Sequence, residues 1–85
     1  MMAPDARYRS RPVLEIVAPP GTELLVHRHG HDPWAAIFTG PVPASGHLRL
    51  KVPRGHFVVV APGGKAAQAV LAEGTDYLRL ELDLP

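Results

Sequence analysis

Tyr77-Leu78-Arg79-Leu80-Glu81-Leu82-Asp83-Leu84 alternates leucine with polar or amphipathic residues without a break. A period of two places every leucine on one side of an extended chain, whereas a helix would spread them around its circumference. The stretch therefore reads as a strand with one buried and one wet face. Working back from it, similar strands recur between Gly- and Pro-rich turns. Lys65 to Ala72 is a smaller, alanine-rich strand bounded by Pro62-Gly63-Gly64 and Glu73-Gly74-Thr75-Asp76. His56 to Ala61 carries the run Phe57-Val58-Val59-Val60 and suits a central position. His47 to Val52 puts Leu48, Leu50 and Val52 inside and His47, Arg49 and Lys51 outside, and Pro53-Arg54-Gly55 turns it into the next strand.

Further upstream, Val13 to Ala18 is a first strand with Leu14 and Ile16 on one face, ended by Pro19-Pro20-Gly21. Thr22 to His29 is a second, with Leu24 and Val26 opposite Leu25 and His27. Gly30-His31-Asp32-Pro33 forms a loop, Trp34 to Thr39 a third strand apolar on both faces, and Gly40 to Gly46 a rigid link. Short strands at this spacing, with no competing helical pattern, suit a sandwich or barrel, and the reading taken is a seven-stranded antiparallel β-sandwich over residues 13–85. Its expected core is Leu14, Ile16, Leu24, Val26, Trp34, Phe38, Leu48, Leu50, Phe57, Val59, Val70, Leu78, Leu80 and Leu82. Residues 1–12, broken by Pro4 and Pro12, read as an extended N-terminal arm.

At 85 residues a single domain buries only roughly 60–65% of its unfolded surface, so stability is expected to be marginal. The chain has no cysteine, which excludes disulfides and thiolate metal sites; partner contacts or histidine ligation remain as supports. A formal charge of +1 supplies no general field for nucleic acid or an acidic membrane. No apolar run approaches the roughly 20 residues of a membrane span, and the first residues lack the apolar stretch of a secretion signal.

The order Ser45-Gly46-His47-Leu48-Arg49-Leu50-Lys51-Val52-Pro53-Arg54-Gly55-His56-Phe57-Val58-Val59-Val60-Ala61-Pro62-Gly63-Gly64, followed by an alternating strand, a Glu-Gly turn and a leucine-rich strand, resembles carboxypeptidase regulatory-like and PEGA-type modules. These are small transthyretin-like β-sandwiches, so the resemblance implies a sandwich of transthyretin/Ig-like type. The positions that carry the likeness are Gly46, Leu48, Leu50, Pro53, Gly55, Phe57, Val59 and Gly63, over about the last half of the chain. The resemblance implies a non-catalytic module that spaces, adheres or binds, and brings no catalytic residues with it. With its own Met1, the chain is expected to be a subunit of something larger.

His27, His29 and His31 form an H-x-H-x-H run that an extended chain would place on one face, able to hold a divalent transition metal such as zinc, copper, nickel or iron. With Gly21 six residues before His27 and Gly40 after it, the run resembles the first metal motif of small cupins. Pro33 stands where a cupin has its glutamate ligand, and Val58 where it has a later histidine. The competing reading is a polar face that discourages sheet-to-sheet aggregation.

Ser10 and Ser45 sit on no nucleophile elbow, Glu15, Glu23, Glu73 and Glu81 are spread over the wet faces of different strands, and no glycine-rich loop opens a helix. The chain is therefore expected not to be an enzyme. Its expected use is structural: a subunit that decorates or cements a larger assembly, such as a virion capsid or tail, in a virion or cytoplasmic setting. Arg7, Tyr8, Arg9 and Arg11 of the arm, together with Trp34, are the candidate contacts to protein neighbours. A carbohydrate-binding module, with Trp34 as platform, is the other alternative beside the cupin-like metal protein.

Overall fold

In a computed structural model, which describes residues 11–30 and 35–83, the alternating segments become strands that pack as two sheets. The strands are β1 (Val13–Val17), β2 (Glu23–Arg28), β3 (Phe38–Pro41), β4 (His47–Lys51), β5 (Gly55–Val60), β6 (Ala66–Leu71) and β7 (Tyr77–Glu81). One sheet has the order β4-β1-β7 and the other β3-β2-β5-β6. The inward residues of both form one core: Leu14 and Ile16 from β1 and Leu48 from β4 meet Leu24 and Val26, Phe57 and Val59, and Ala69 and Leu71 of the second sheet. Phe38, Leu50, Leu78, Leu80 and Leu82 close its margins. The β-sandwich is thus the architecture, and the period-two pattern is its cause.

The expectation of an all-antiparallel sandwich is corrected at one ladder. β1 pairs antiparallel with β4 but parallel with β7, in the register Val13↔Tyr77 to Val17↔Glu81. Parallel neighbours need a long crossover, and here the intervening strands supply it. The leucine strand returns from the opposite sheet and lies beside the first strand of the domain. Arg54, in the β4–β5 turn, holds the turn that aims it: Nη1 donates to the carbonyls of Ala72 and Thr75, each at 2.7 Å, and Nη2 to Asp76 Oδ1 at 3.0 Å.

Other boundaries also move. The third strand is β3 over Phe38–Pro41 rather than Trp34 to Thr39, and only one of its faces points at the core: Phe38 is half-buried while Thr39 and Pro41 are exposed. Gly40 and Pro41, read as link, complete that strand. Pro12 is buried and its carbonyl accepts the Val52 amide at 3.1 Å, so the ladder starts inside the segment assigned to the arm. Val70, placed in the core by its hydrophobicity, is 54% exposed, while Leu71 and Ala69 on the other face are buried. Residues Ala18, Val42, Val52 and Ala61 complete the buried set. Trp34 lies outside the described residues.

Gly46 illustrates a turn that only glycine fits. Its φ is +80°, and a Cβ there would meet the Ala18 carbonyl oxygen at 3.3 Å; that carbonyl belongs to the residue whose amide donates to Gly46 at 3.1 Å.

Candidate interaction surfaces

The outward side of the four-stranded sheet carries the histidines. β2 and β5 pair His27 with Val58, and the next step along the ladder brings the His29 amide to the His56 carbonyl at 2.8 Å. The His29 and His56 rings stack, with centroids 4.2 Å apart and planes 7° from parallel. His56 Nε2 donates to Gln68 Oε1 of β6 at 2.9 Å. His27, nearly buried, donates through Nδ1 to the Arg28 carbonyl at 2.9 Å, since a carbonyl only accepts. His27 and His29 do share a face, as the spacing predicts, but His29 turns to a histidine of the neighbouring strand. His31 lies outside the described residues. Among the described residues no group of three His, Cys, Asp or Glu side chains is placed to hold a metal ion.

The outward side of the three-stranded sheet is charged. Its centre is Glu15, which the sequence reading put on a wet face and which is instead 2% exposed. The cause is position: β1 is flanked on both sides, and Glu15 stands in register with Arg49 on β4 and Arg79 on β7. His47 Nδ1 donates to Glu15 Oε2 at 2.7 Å, and Arg49 Nε approaches the same oxygen at 3.5 Å. The His47 hydrogen bond holds the Glu15 carboxyl below the usual carboxylate range, with Arg49 assisting, against the opposing push of burial. Alongside runs a groove of about 500 Å³ lined by Val13, Arg49, Leu50, Lys51 and Tyr77. Glu15 is the residue that sequence reasoning missed. A signal existed in its place at the middle of β1, between Val13 and Val17, once β1 is known to be central.

The four sheet edges differ in how they meet water. β3 is four residues long and ends in Pro41. The Val42 amide donates to Thr22, so the alternation turns position 41 outward, where proline removes the donor. β4 carries His47, Arg49 and Lys51, and β7 carries Arg79 and Glu81, which are joined at 3.0 Å. β6 is different: Ala66-Ala67-Gln68-Ala69-Val70-Leu71 contains no charge and no proline. The Ala61 amide donates to the Lys65 carbonyl at 2.7 Å. Following the antiparallel register from there, Ala67, Ala69 and Leu71 exchange bonds with β5, and the amides and carbonyls of Ala66, Gln68 and Val70 point away from the sheet. Among the described residues no strand pairs with them.

Of the arm contacts expected from the sequence, Arg7, Tyr8 and Arg9 lie outside the described residues, and Arg11 is exposed at the entrance to β1. Among the described residues no helix is long and apolar enough to cross a membrane.

The fold and these surfaces define a class, the two-sheet all-β module. No family model matches the chain, and no curated protein matches it. Among solved structures it is similar to the Bacillus anthracis TIE protein, with a TM-score of 0.69 and 13% identity over 84% of this chain and 16% of that one. The chain thus spans about a sixth of the length of that protein. At this identity the likeness shows the fold.

Proposed function

We propose that this chain is a non-catalytic structural module that joins a protein neighbour by strand addition at the β6 edge. The observation that carries the reading is the contrast between edges: β3, β4 and β7 each have a proline or charges where a foreign strand would pair, and β6 has neither. An uncharged, regular edge is an aggregation hazard that folded proteins normally block, so one that no described strand covers, beside three blocked ones, is suited to a neighbour's strand. Main-chain hydrogen bonds would provide the affinity, and the outward Gln68 and Val70 side chains the selectivity. The likeness of residues 45–63 to PEGA-type modules supports the same use by analogy of fold.

The test uses the direction of the amides. Val70→Pro removes a donor that points to solvent, so the domain keeps its fold; Ala69→Pro removes a donor to β5 and destabilises the sheet. Expressed in its native cells, the wild-type chain is expected to sediment with a particle heavier than itself, and the Val70→Pro chain to sediment alone with an unchanged circular-dichroism spectrum. Incorporation of Val70→Pro at wild-type levels would refute the reading.

A further inference from the structure

We infer that the strand received by β6 is the β6 of a second copy of this chain, paired antiparallel about a two-fold axis with Ala69 opposite Ala69. This deepens the strand-addition reading and rests on it. The outward main-chain groups belong to Ala66, Gln68 and Val70, so a symmetric antiparallel pair can be centred on any residue from Ala66 to Val70.

Side-chain chemistry separates these registers. Centred on Ala66 or Ala67, Lys65 would face Ala67 or Ala69, and Glu73 would lie beyond the other copy's β6. Centred on Gln68, Lys65 would face Leu71 and Glu73 would face Gly63. Centred on Val70, Lys65 would face Thr75 and Glu73 would face Ala67. Centred on Ala69, Lys65 of each copy, directly before β6, comes up to Glu73 of the other, which sits two residues past β6 in the turn closed by the Thr75 amide and the Ala72 carbonyl, at both ends of the seam. Both side chains are exposed, and neither enters an ion pair among the described residues. In this register Gln68 of one copy exchanges both main-chain bonds with Val70 of the other, and the reverse. On the inward side, small Ala67 lies opposite Leu71 and Ala69 opposite Ala69, so bulk meets space. The two four-stranded sheets become one continuous sheet. The contact is isologous and consumes the open edge of both copies, so growth stops at the dimer rather than continuing as a fibre.

An edge seam buries less than a standard protein interface, so the dimer is expected to be weaker than about 1 μM. Sedimentation equilibrium of the purified wild-type chain over a concentration series is expected to show reversible dimers, and Val70→Pro to show monomer throughout. Lys65→Glu or Glu73→Lys alone places like charges opposite one another at both ends of the seam and is expected to weaken the dimer about tenfold. The Lys65→Glu/Glu73→Lys exchange restores opposite charges and is expected to recover the wild-type constant. Wild-type monomer up to about 1 mM, a dimer indifferent to Val70→Pro, or a double variant no tighter than the singles would each overturn the proposal. If the purified chain is monomeric while Val70→Pro still loses its place in the native particle, the second copy is refuted and strand addition to another protein stands.

Discussion

Truncating Leu71 should cost several times more than truncating its neighbour Val70, although the two are adjacent, similar in size and in the same strand. Leu71 is 0% exposed inside the core and Val70 is 54% exposed on the outward face. Leu71→Ala loses the transfer free energy of its buried methyl groups and leaves a cavity, about 3 kcal/mol within the usual span of roughly 2–5. Val70→Ala loses a half-wetted side chain on an edge strand, under about 0.7 kcal/mol. For a chain of 85 residues, at about 2.1 cal/mol/K per residue the unfolding entropy is about 180 cal/mol/K. The first change therefore lowers Tm by about 17 °C and the second by less than about 4 °C. Total stability for this length is of order 4–13 kcal/mol, so Leu71→Ala removes a large part of it. Thermal unfolding followed by circular dichroism in dilute solution measures both. A Tm lower for Val70→Ala than for Leu71→Ala would mean that β6 is slipped by one residue. The outward amides would then belong to Ala67 and Ala69, and the edge argument would fall with the face assignment.

Glu15 has a folded pKa lowered by its His47 hydrogen bond and by Arg49. Its contribution to stability is therefore present above the unfolded value of about 4.3 and is lost as pH falls from near 5 through the lower folded value. Glu15→Gln should flatten the acid limb of the Tm-against-pH curve in that window, and an unchanged limb would show that the His47 contact does not hold the carboxylate in solution. Arg54→Ala removes donors to Ala72, Thr75 and Asp76 and should destabilise by about 1–3 kcal/mol by urea unfolding. Arg54→Lys should not restore it, because an ammonium cannot fork to both carbonyls; full rescue by lysine would reduce the contact to simple charge. Gly46→Ala should cost about 1–2 kcal/mol by the same assay, from its φ of +80° and the Ala18 carbonyl at 3.3 Å. A neutral result there would show that the turn rearranges.

Period-two patterning was enough to recover most of the fold, because on a sandwich strand it reports directly which side chains leave water. It located β1, β4, β5 and β7 and the buried Leu14, Ile16, Leu48, Phe57 and Val59. It failed where local pattern is indifferent to tertiary position. In β6 the alternation of Ala67, Ala69 and Leu71 against Ala66, Gln68 and Val70 offers two nearly equal faces, and the ladder to β5 decides between them. In β3 the aromatic and aliphatic residues drew the strand two or more places early, whereas its pairing with β2 runs through Gly40 and Pro41. The direction of β7 beside β1 is invisible to periodicity, since a strand buries the same face whether its neighbour runs parallel or antiparallel. The site was less legible still. Burial of Glu15 depends on β1 being central, and the open edge becomes visible only when the other edges are identified and compared.

The proposed edge pairing and the small size of the domain are linked through mass action, and the link can be measured. A domain of this length has little stability in reserve, and a partner that binds only the folded state adds RT ln(1 + [L]/Kd). When the free folded monomer is about ten times more concentrated than the dimer constant, that increment is about 1.4 kcal/mol. Divided by the unfolding entropy of about 180 cal/mol/K, it raises Tm by about 8 °C. Wild-type Tm should therefore climb with protein concentration through the range in which dimers form, while Val70→Pro, which keeps the β5–β6 ladder but lacks the outward donor, should melt at one temperature throughout. Scanning calorimetry over a hundredfold concentration range separates the two. A flat wild-type series would remove the link between association and stability, and a rising Val70→Pro series would move the association to a surface other than the β6 edge. The Leu71→Ala chain sharpens the comparison: with less stability of its own it should show a Tm that still climbs with concentration from a lower baseline, because the main-chain bonds between Gln68 and Val70 are left in place.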